Sequence, residues 1–542
     1  MLRTHLRGSF EPQTISQTSK SLRSWFYANE IRDIYEIPAP LSSRMVVGVI
    51  SFGGGLYGTL SNRVLTNGDV QAYWTSIGIA PEHHPQVFVV PINGASNLPN
   101  ANDGGSTMEN TLDVETIGAC CPTANLTIIL YLSPNTLNDF YNVLNYALNQ
   151  PLTVGGTSYQ PTILSISWGA PEAYFSTSLA NNMNNLMGVA NASGVNICVA
   201  SGDYGSSNGL GSNTDVNADF PSASPCVTAC GGTNLVCPNY VYDGSTIERA
   251  WSSGGGAVSA KFSKPSYQSG LGGSGRATPD VALVADPDTG VLFRVNGQNY
   301  VFGGTSVAAP IFAGFLACVN PSVFVNPILY SSSGANFHDV TEGSNGAFTA
   351  GVGYDNCTGL GSIVGSVLKT TLEDSSDGPV TSMTLNVSTK TLSTREIFQL
   401  IPTFSPSVSP PPSVSWASSS PGVVTVTSGG LLTARSRGNA TITATSGEFI
   451  ATVVVTVIIG VTGVRISPTS TTLYRRGSKT LKASVLPSAA TNRAVTWASS
   501  NPSIVTVSST GIIRAGMLKG NTYITVTTAN GSFQARCRVS VW

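Results

Sequence analysis

The chain has 542 residues, enough for one large domain and smaller ones, yet only 10% are charged, well below the roughly 25% of an average soluble protein. Its 57 glycines, with many small hydroxyl residues, suit a turn-rich secreted or particle-borne protein and speak against a cytosolic helical enzyme. The net charge of −1 hides an asymmetry: residues 380–542 carry 14 Lys or Arg against two acids, Glu396 and Glu448, whereas residues 1–379 carry 13 basic and 26 acidic residues.

Residues 1–40 are polar and end in ANEIRDIYEIPAP, a lead-in to the first core strand. The opening MLRTHLRGSFEPQTISQ lacks the apolar region of a signal peptide, so an exported chain would use another route or derive from a longer precursor. From Met45 the text alternates. RMVVGVISFGGG, LTIILYL (126–132), TILSISWG (162–169), VNICVASGD (195–203) and YVFGGTS (300–306) each read as a buried strand closed by small residues. Between them TLDVETIGACC, LNDFYNVLNYALNQ (137–150) and YFSTSLANNMNNLMGVANASG (174–194) read as helices. Short buried strands alternating with helices predict a doubly wound, mostly parallel α/β sheet covered on both faces. In such a sheet functional residues gather at the strand C-termini, where SWG, SGD and GGTS fall. No run of about 20 apolar residues exists, so no transmembrane helix is expected.

A polar linker, LEDSSDGPV, follows residue 371, and the sequence beyond it is Val/Thr/Ser-rich with period-2 alternation. It repeats. VSWASSSPGVVTVTSGGLLTARSRGNATITATSG begins at Val414 and VTWASSNPSIVTVSSTGIIRAGMLKGNTYITVTTANG at Val495; Trp416 and Trp497 stand 81 residues apart, as do Val380 and Val461. Two copies of short alternating strands predict two all-β sandwiches in tandem, at 380–459 and 461–542. They resemble group 2 bacterial Ig-like domains, with the W-x-S-S-x-P-x-V-x-V segment in both copies. The excess of cations suggests a partner for residues 380–542: an anionic glycan, a cell wall or a particle surface. No motif points to specific nucleic-acid recognition.

Nine cysteines, at 120, 121, 198, 226, 230, 237, 318, 357 and 537, form no CxxC pair. Cys226, Cys230 and Cys237 are close enough for a local disulfide, and several others fall in apolar stretches where Cys packs as a small hydrophobe.

The chemistry begins at VFGGTSVAAP (301–310). Ser306 opens a helix whose free N–H groups can stabilise an oxyanion, and Pro310 is tolerated if it lies in the first turn. A serine hydroxyl needs a base. His5 lies in the polar leader, His83 and His84 in PEHHPQ, and His338 in FHDV. The subtilisin-type HGT helix and first-strand Asp are both absent, so a His-based triad is not expected. Carboxylates offer the alternative. Glu109 and Asp113 in MENTLDVETIGA stand at i and i+4 and share one helix face, where repulsion raises a pKa. Asp203, at the end of VNICVASGD, is either a turn residue or, if protonated, a donor to a developing oxyanion.

The ordered set Glu109, Asp113, Asp203 and Ser306, within ExxLD, SISWG, SGD and GGTSVAAP, resembles the sedolisins, the serine-carboxyl peptidases. The resemblance runs over residues 41–372. It implies a subtilisin-like fold with Ser306 as nucleophile, Glu109 as general base, Asp113 as its partner and Asp203 in the oxyanion hole. It also implies a Ca²⁺ site built from Asp339 and Asp355 with the carbonyls of Val340, Gly351 and Gly353, in FHDVTEG and AGVGYDNCTGLG. The sequence departs from the family twice. Only about 40 residues precede the core, a leader or prodomain remnant in place of the usual long prodomain, and Ser51 stands where some relatives carry an acid. The function implied is endopeptidase action on protein or peptide substrates at acidic pH, outside the cell or on a particle, with the tail as anchor. The alternative is a cell-surface or virion adhesion protein that keeps a peptidase fold.

Overall fold

The computed structural model describes residues 2–8, 23–332, 334–374, 382–405, 412–447 and 449–542. Positions 9–22 of the leader, 375–381 of the linker and Glu448 lie outside the described residues. The chain divides into two units, Met1–Ser382 with Thr403–Pro412, and Met383–Pro402 with Ser413–Trp542.

The first unit is built on seven parallel strands: β1 (Met45–Phe52), β2 (Gln86–Pro91), β3 (Leu126–Ser133), β4 (Ile163–Ile166), β5 (Asn196–Ala200), β6 (Thr228–Val236) and β7 (Val281–Val284). Their spatial order is β2-β3-β1-β4-β5-β6-β7. β1, β3, β4 and β5 are buried at every position, which explains why they read as unbroken apolar runs rather than alternating ones. Four long helices accompany the sheet: α1 (Ser106–Cys120), α2 (Leu137–Asn149), α3 (Thr177–Ala192) and α4 (Thr305–Val319). α2 and α3 are amphipathic and begin at side-chain caps, Thr136 and Ser176, each accepting from the amide three residues on. By contrast, α4 is buried along its whole length and α1 at 14 positions. The two lie in close contact: a Cβ on Gly314 would sit 2.5 Å from the Cβ of Cys120.

Two features differ from the sequence reading. YVFGGTS does not join the parallel sheet; Gln298–Gly303 pairs antiparallel with Val291–Val295 in a separate sheet. Local apolarity cannot distinguish these partners. The TILSISWG run is also two strands, Ile163–Ile166 and Trp168–Pro171, broken at Ser167. All nine cysteines are free and buried, so Cys226, Cys230 and Cys237 form no local disulfide.

In the second unit, each repeat closes one apolar core between a four-stranded and a three-stranded sheet. In the second copy the order is Ser470–Leu473, Gln534–Val541, Gly520–Thr528 and Val495–Ser499 against Ser478–Thr480, Ile512–Ala515 and Val505–Val507. The repeated text is a repeated packing device. Gly430 and Gly511 both adopt φ +82, and a Cβ on either would meet the ring of Trp416 or Trp497 at 2.8 Å. No helix among the described residues is long and apolar enough to cross a membrane.

Candidate active site

Ser306 is the second residue of α4 and is fully buried. The turn before it depends on Gly304, at φ +101, where a Cβ would stand 2.1 Å from the His5 carbonyl oxygen and 2.6 Å from Asp203 Oδ2. No other residue fits there. Pro310 lies in the second turn, not the first. Lacking an N–H, it leaves the Ser306 carbonyl without its helical donor; the Ser167 hydroxyl stands 3.4 Å from that carbonyl, but its single proton is also within reach of Asp113, at the shorter distance of 2.8 Å. The Ser306 hydroxyl in turn donates to the Ser167 carbonyl at 3.4 Å.

Glu109 and Asp113 lie on the buried face of α1, as their spacing requires, with no exposure at either. Asp113 Oδ1 accepts from the Ser167 hydroxyl at 2.8 Å, while its Oδ2 has no partner. Burial, and then the Asp113 charge, push Glu109 well above the ordinary carboxylate range; the Ser306 and Ser167 hydroxyls beside it oppose the shift. Neither Glu109 oxygen has a hydrogen-bond partner of ordinary geometry, so rotation of the Ser306 hydroxyl away from Ser167 is what would engage it. Asp113 is raised as well, by burial, against the Ser167 bond. Both shifts favour the protonated forms.

Asp203 follows β5 and meets the start of α4. Its Oδ1 accepts from the Thr305 amide and hydroxyl, both at 2.8 Å. Its Oδ2 is buried without a hydrogen bond; the Arg7 guanidinium is 3.8 Å away. Burial raises Asp203 to about 6, against the opposing pull of His5, Thr305 and Arg7. The Trp168 indole donates to Ser51 Oγ at 3.0 Å, so on this side the network ends in a neutral hydroxyl.

The sequence left two participants unassigned. Ser167 bridges Asp113 and Ser306, a role hidden in an apolar run. The other is the N-terminal segment. Residues 2–8 do not merely lead in to the core; they run along the cleft. Arg3–Thr4 pairs antiparallel with Trp168–Gly169, and Arg7–Gly8 with Gly303–Phe302. His5 N donates to the Ser167 carbonyl at 3.1 Å, and the Ser306 amide donates to the His5 carbonyl at 2.9 Å. The His5 ring pairs with buried Asp219 at 3.2 Å. Leu2 is held by Asn135 through both its amide and its carbonyl, at 3.0 and 3.1 Å. Beyond Asp203 an open cavity of about 1220 Å³ contains Arg7 and is bordered by Tyr204, Trp251 and Asp288. Of the other histidines, His84 bonds the Ile79 carbonyl and His338 stacks on Tyr242.

The residues expected to hold Ca²⁺ converge on one turn. Asp339 Oδ2 accepts from the Gly353 amide at 2.9 Å, and Asp355 Oδ2 from the Gly351 amide at 3.0 Å. Among the described residues no three His, Cys, Asp or Glu side chains cluster as a metal site, so an ion there would depend on backbone oxygens such as Val340, Gly351 and Gly353.

Kumamolisin from Bacillus sp. (strain MN-32) is 35% identical over 391 residues, 67% of this chain and 66% of its own length. In the solved structure of Pseudomonas sedolisin, a serine-carboxyl proteinase complexed with two molecules of pseudo-iodotyrostatin, the likeness reaches TM-score 0.54 at 27% identity, covering 65% of this chain and 98% of that one. The N-terminal domain is a sedolisin. The sedolisin relatives include bovine tripeptidyl-peptidase 1, 30% identical over 48% of this chain and 50% of its own length. The chain thus spans less than two thirds of each of these two curated relatives. Residues 379–457 and 460–539 match the bacterial Ig-like domain (group 2), so two Ig-like domains follow the sedolisin domain.

Proposed function

We propose that the sedolisin domain is a serine-carboxyl endopeptidase of acidic conditions. Ser306 Oγ attacks the scissile carbonyl carbon, and its proton passes to Glu109, which Asp113 and Ser167 orient. The oxyanion takes hydrogen bonds from the Ser306 amide and from protonated Asp203. The C–N bond breaks as Glu109 returns the proton to the leaving amine; water, activated by the same carboxylate, then hydrolyses the acyl-enzyme. Asp203 must be protonated to donate, and Glu109 ionised to accept. Asp203, raised to about 6, keeps the proton it donates below that pH; Glu109, raised by burial and by Asp113, must give up its proton against that shift, so the two demands oppose each other and confine activity to a limited pH range.

The observation that supports this reading is the path of residues 2–8. They lie as an extended peptide whose carbonyl, at His5, accepts from the Ser306 amide. The chain continues on both sides of the His5–Leu6 bond, and a fourth residue N-terminal to that bond, Leu2, is held by Asn135. A tripeptidyl exopeptidase closes its cleft after three residues; this cleft accepts more, which favours internal cleavage. The His5–Asp219 pair further suggests a pocket for a cationic side chain before the cut bond.

At about pH 4 a fluorogenic peptide with a blocked N-terminus and His before the scissile bond should be cleaved, and Ser306→Ala should abolish cleavage. Turnover only of peptides with a free N-terminus three residues from the cut would instead establish the exopeptidase. Asp339, Asp355 and the carbonyls of Val340, Gly351 and Gly353 would hold Ca²⁺, which would cross-link their loops; a chelator should then lower the melting temperature of this domain.

A further inference from the structure

The second Ig-like domain has a feature that its fold does not require. Residues 461–542 contain ten Lys or Arg and no Asp or Glu. No acidic side chain of this domain can therefore neutralise them, and every one of the ten is exposed. Three also cluster at one end of the domain among exposed apolar side chains. There the 474–477 turn meets the 516–519 turn: Arg476 Nε donates to Met517 Sδ at 3.3 Å, and the Arg476 amide reaches the Gly516 carbonyl at 3.4 Å. The last residue joins them, its amide donating to the Leu473 carbonyl at 3.1 Å. Tyr474 is 80% exposed, Trp542 65%, and Met517 and Leu518 56% each. Arg475, Arg476 and Lys519 flank them, also exposed.

We propose that this tip binds the surface of an anionic lipid bilayer. Cations concentrate at an anionic headgroup layer, each worth about 1 kcal/mol near the surface. Tyr and Trp rings settle at the headgroup level, and an aliphatic pair at the apex of a turn, Met517–Leu518, gains by entering the acyl boundary. An anionic polysaccharide would explain the cations and the rings. It offers nothing to Met517 and Leu518, whose exposure is unfavourable in water. The inference is independent of the peptidase chemistry.

The test is cosedimentation of the full chain with phosphatidylcholine vesicles, with and without phosphatidylglycerol, at low and high salt, beside capture on immobilised hyaluronan. Binding is expected only with phosphatidylglycerol, weakened by salt. R475S with R476S should reduce it roughly 30-fold, as two lost cations predict, and M517D with L518D by at least about 10-fold. All four side chains are exposed, so an unchanged melting temperature should show that each variant folds. No retention on phosphatidylglycerol vesicles at low salt would overturn the proposal. So would undiminished binding by M517D with L518D; with equal capture on hyaluronan, that result would assign the tip to polyanions in general.

Discussion

The sedolisin domain and the second Ig-like domain treat charge in opposite ways. The first takes carboxyls out of water: Glu109, Asp113, Glu115 and Asp203 are all buried, and each is shifted upward chiefly by that burial. The second has no carboxyl side chain and shows ten cations to solvent. A buried carboxyl responds to pH and can move a proton; an exposed guanidinium does neither but acts on anions at a distance. Chemistry is therefore expected in one region and attachment in the other, and each prediction below breaks or sharpens that division.

The largest effect belongs to the buried acids. Glu109→Gln keeps the shape of the side chain and removes its basicity, so kcat should fall by about 10⁴-fold while the domain stays folded. Activity within tenfold of the parent would remove the carboxylate base. Asp203→Asn comes next. An amide donates at any pH, so the loss should be smaller, about 10²–10³-fold in kcat. The alkaline limb near pH 6 should vanish from the pH–rate profile; a limb that stays would assign it to another group.

A third effect is on stability. Asp203 holds its proton to about pH 6 in the folded state, against 3.8 for an ordinary Asp. The folded state therefore binds that proton more tightly than the unfolded one. The resulting stabilisation is complete below about pH 4 and is lost as pH rises through about 6, a change on the order of 3 kcal/mol. Glu109, Asp113 and Glu115 shift in the same direction. The melting temperature of the sedolisin domain should accordingly fall between pH 4 and 7, and less steeply in Asp203→Asn.

The two regions also differed in how far the sequence revealed them. In the Ig-like domains the period-2 alternation and the 81-residue repeat are set by local geometry, so the fold was readable. In the sedolisin domain the strand ends were readable because GGTS and SGD are small-residue turns. Sheet membership was not: Gln298–Gly303 looks like a core strand and pairs elsewhere, and β7, at four residues, is too short to carry a period. Glu109 and Asp113 could be placed on one helix face from their spacing alone. Ser167 and His5 could not, because their positions depend on contacts with residues 139 and 162 places away in the chain, Ser306 and Ser167.

The smallest expected effect is the most direct test of the contrast. All four histidines lie in the first 379 residues, and the tail holds only Glu396 and Glu448 as acidic side chains. With no histidine and only two acidic side chains, the Ig-like domains hold few groups through which pH between about 5 and 8 can act on their unfolding. Proton linkage then requires their stability to be flat over that interval. Calorimetry of the full chain should show one transition moving to lower temperature as pH rises and a second that stays within about 2 °C, well inside the 4–8 °C that 1 kcal/mol would produce in a small domain. Coincident movement of both would mean that the tail unfolds with the sedolisin domain as one cooperative unit, and the division of charge would then not be a division of stability.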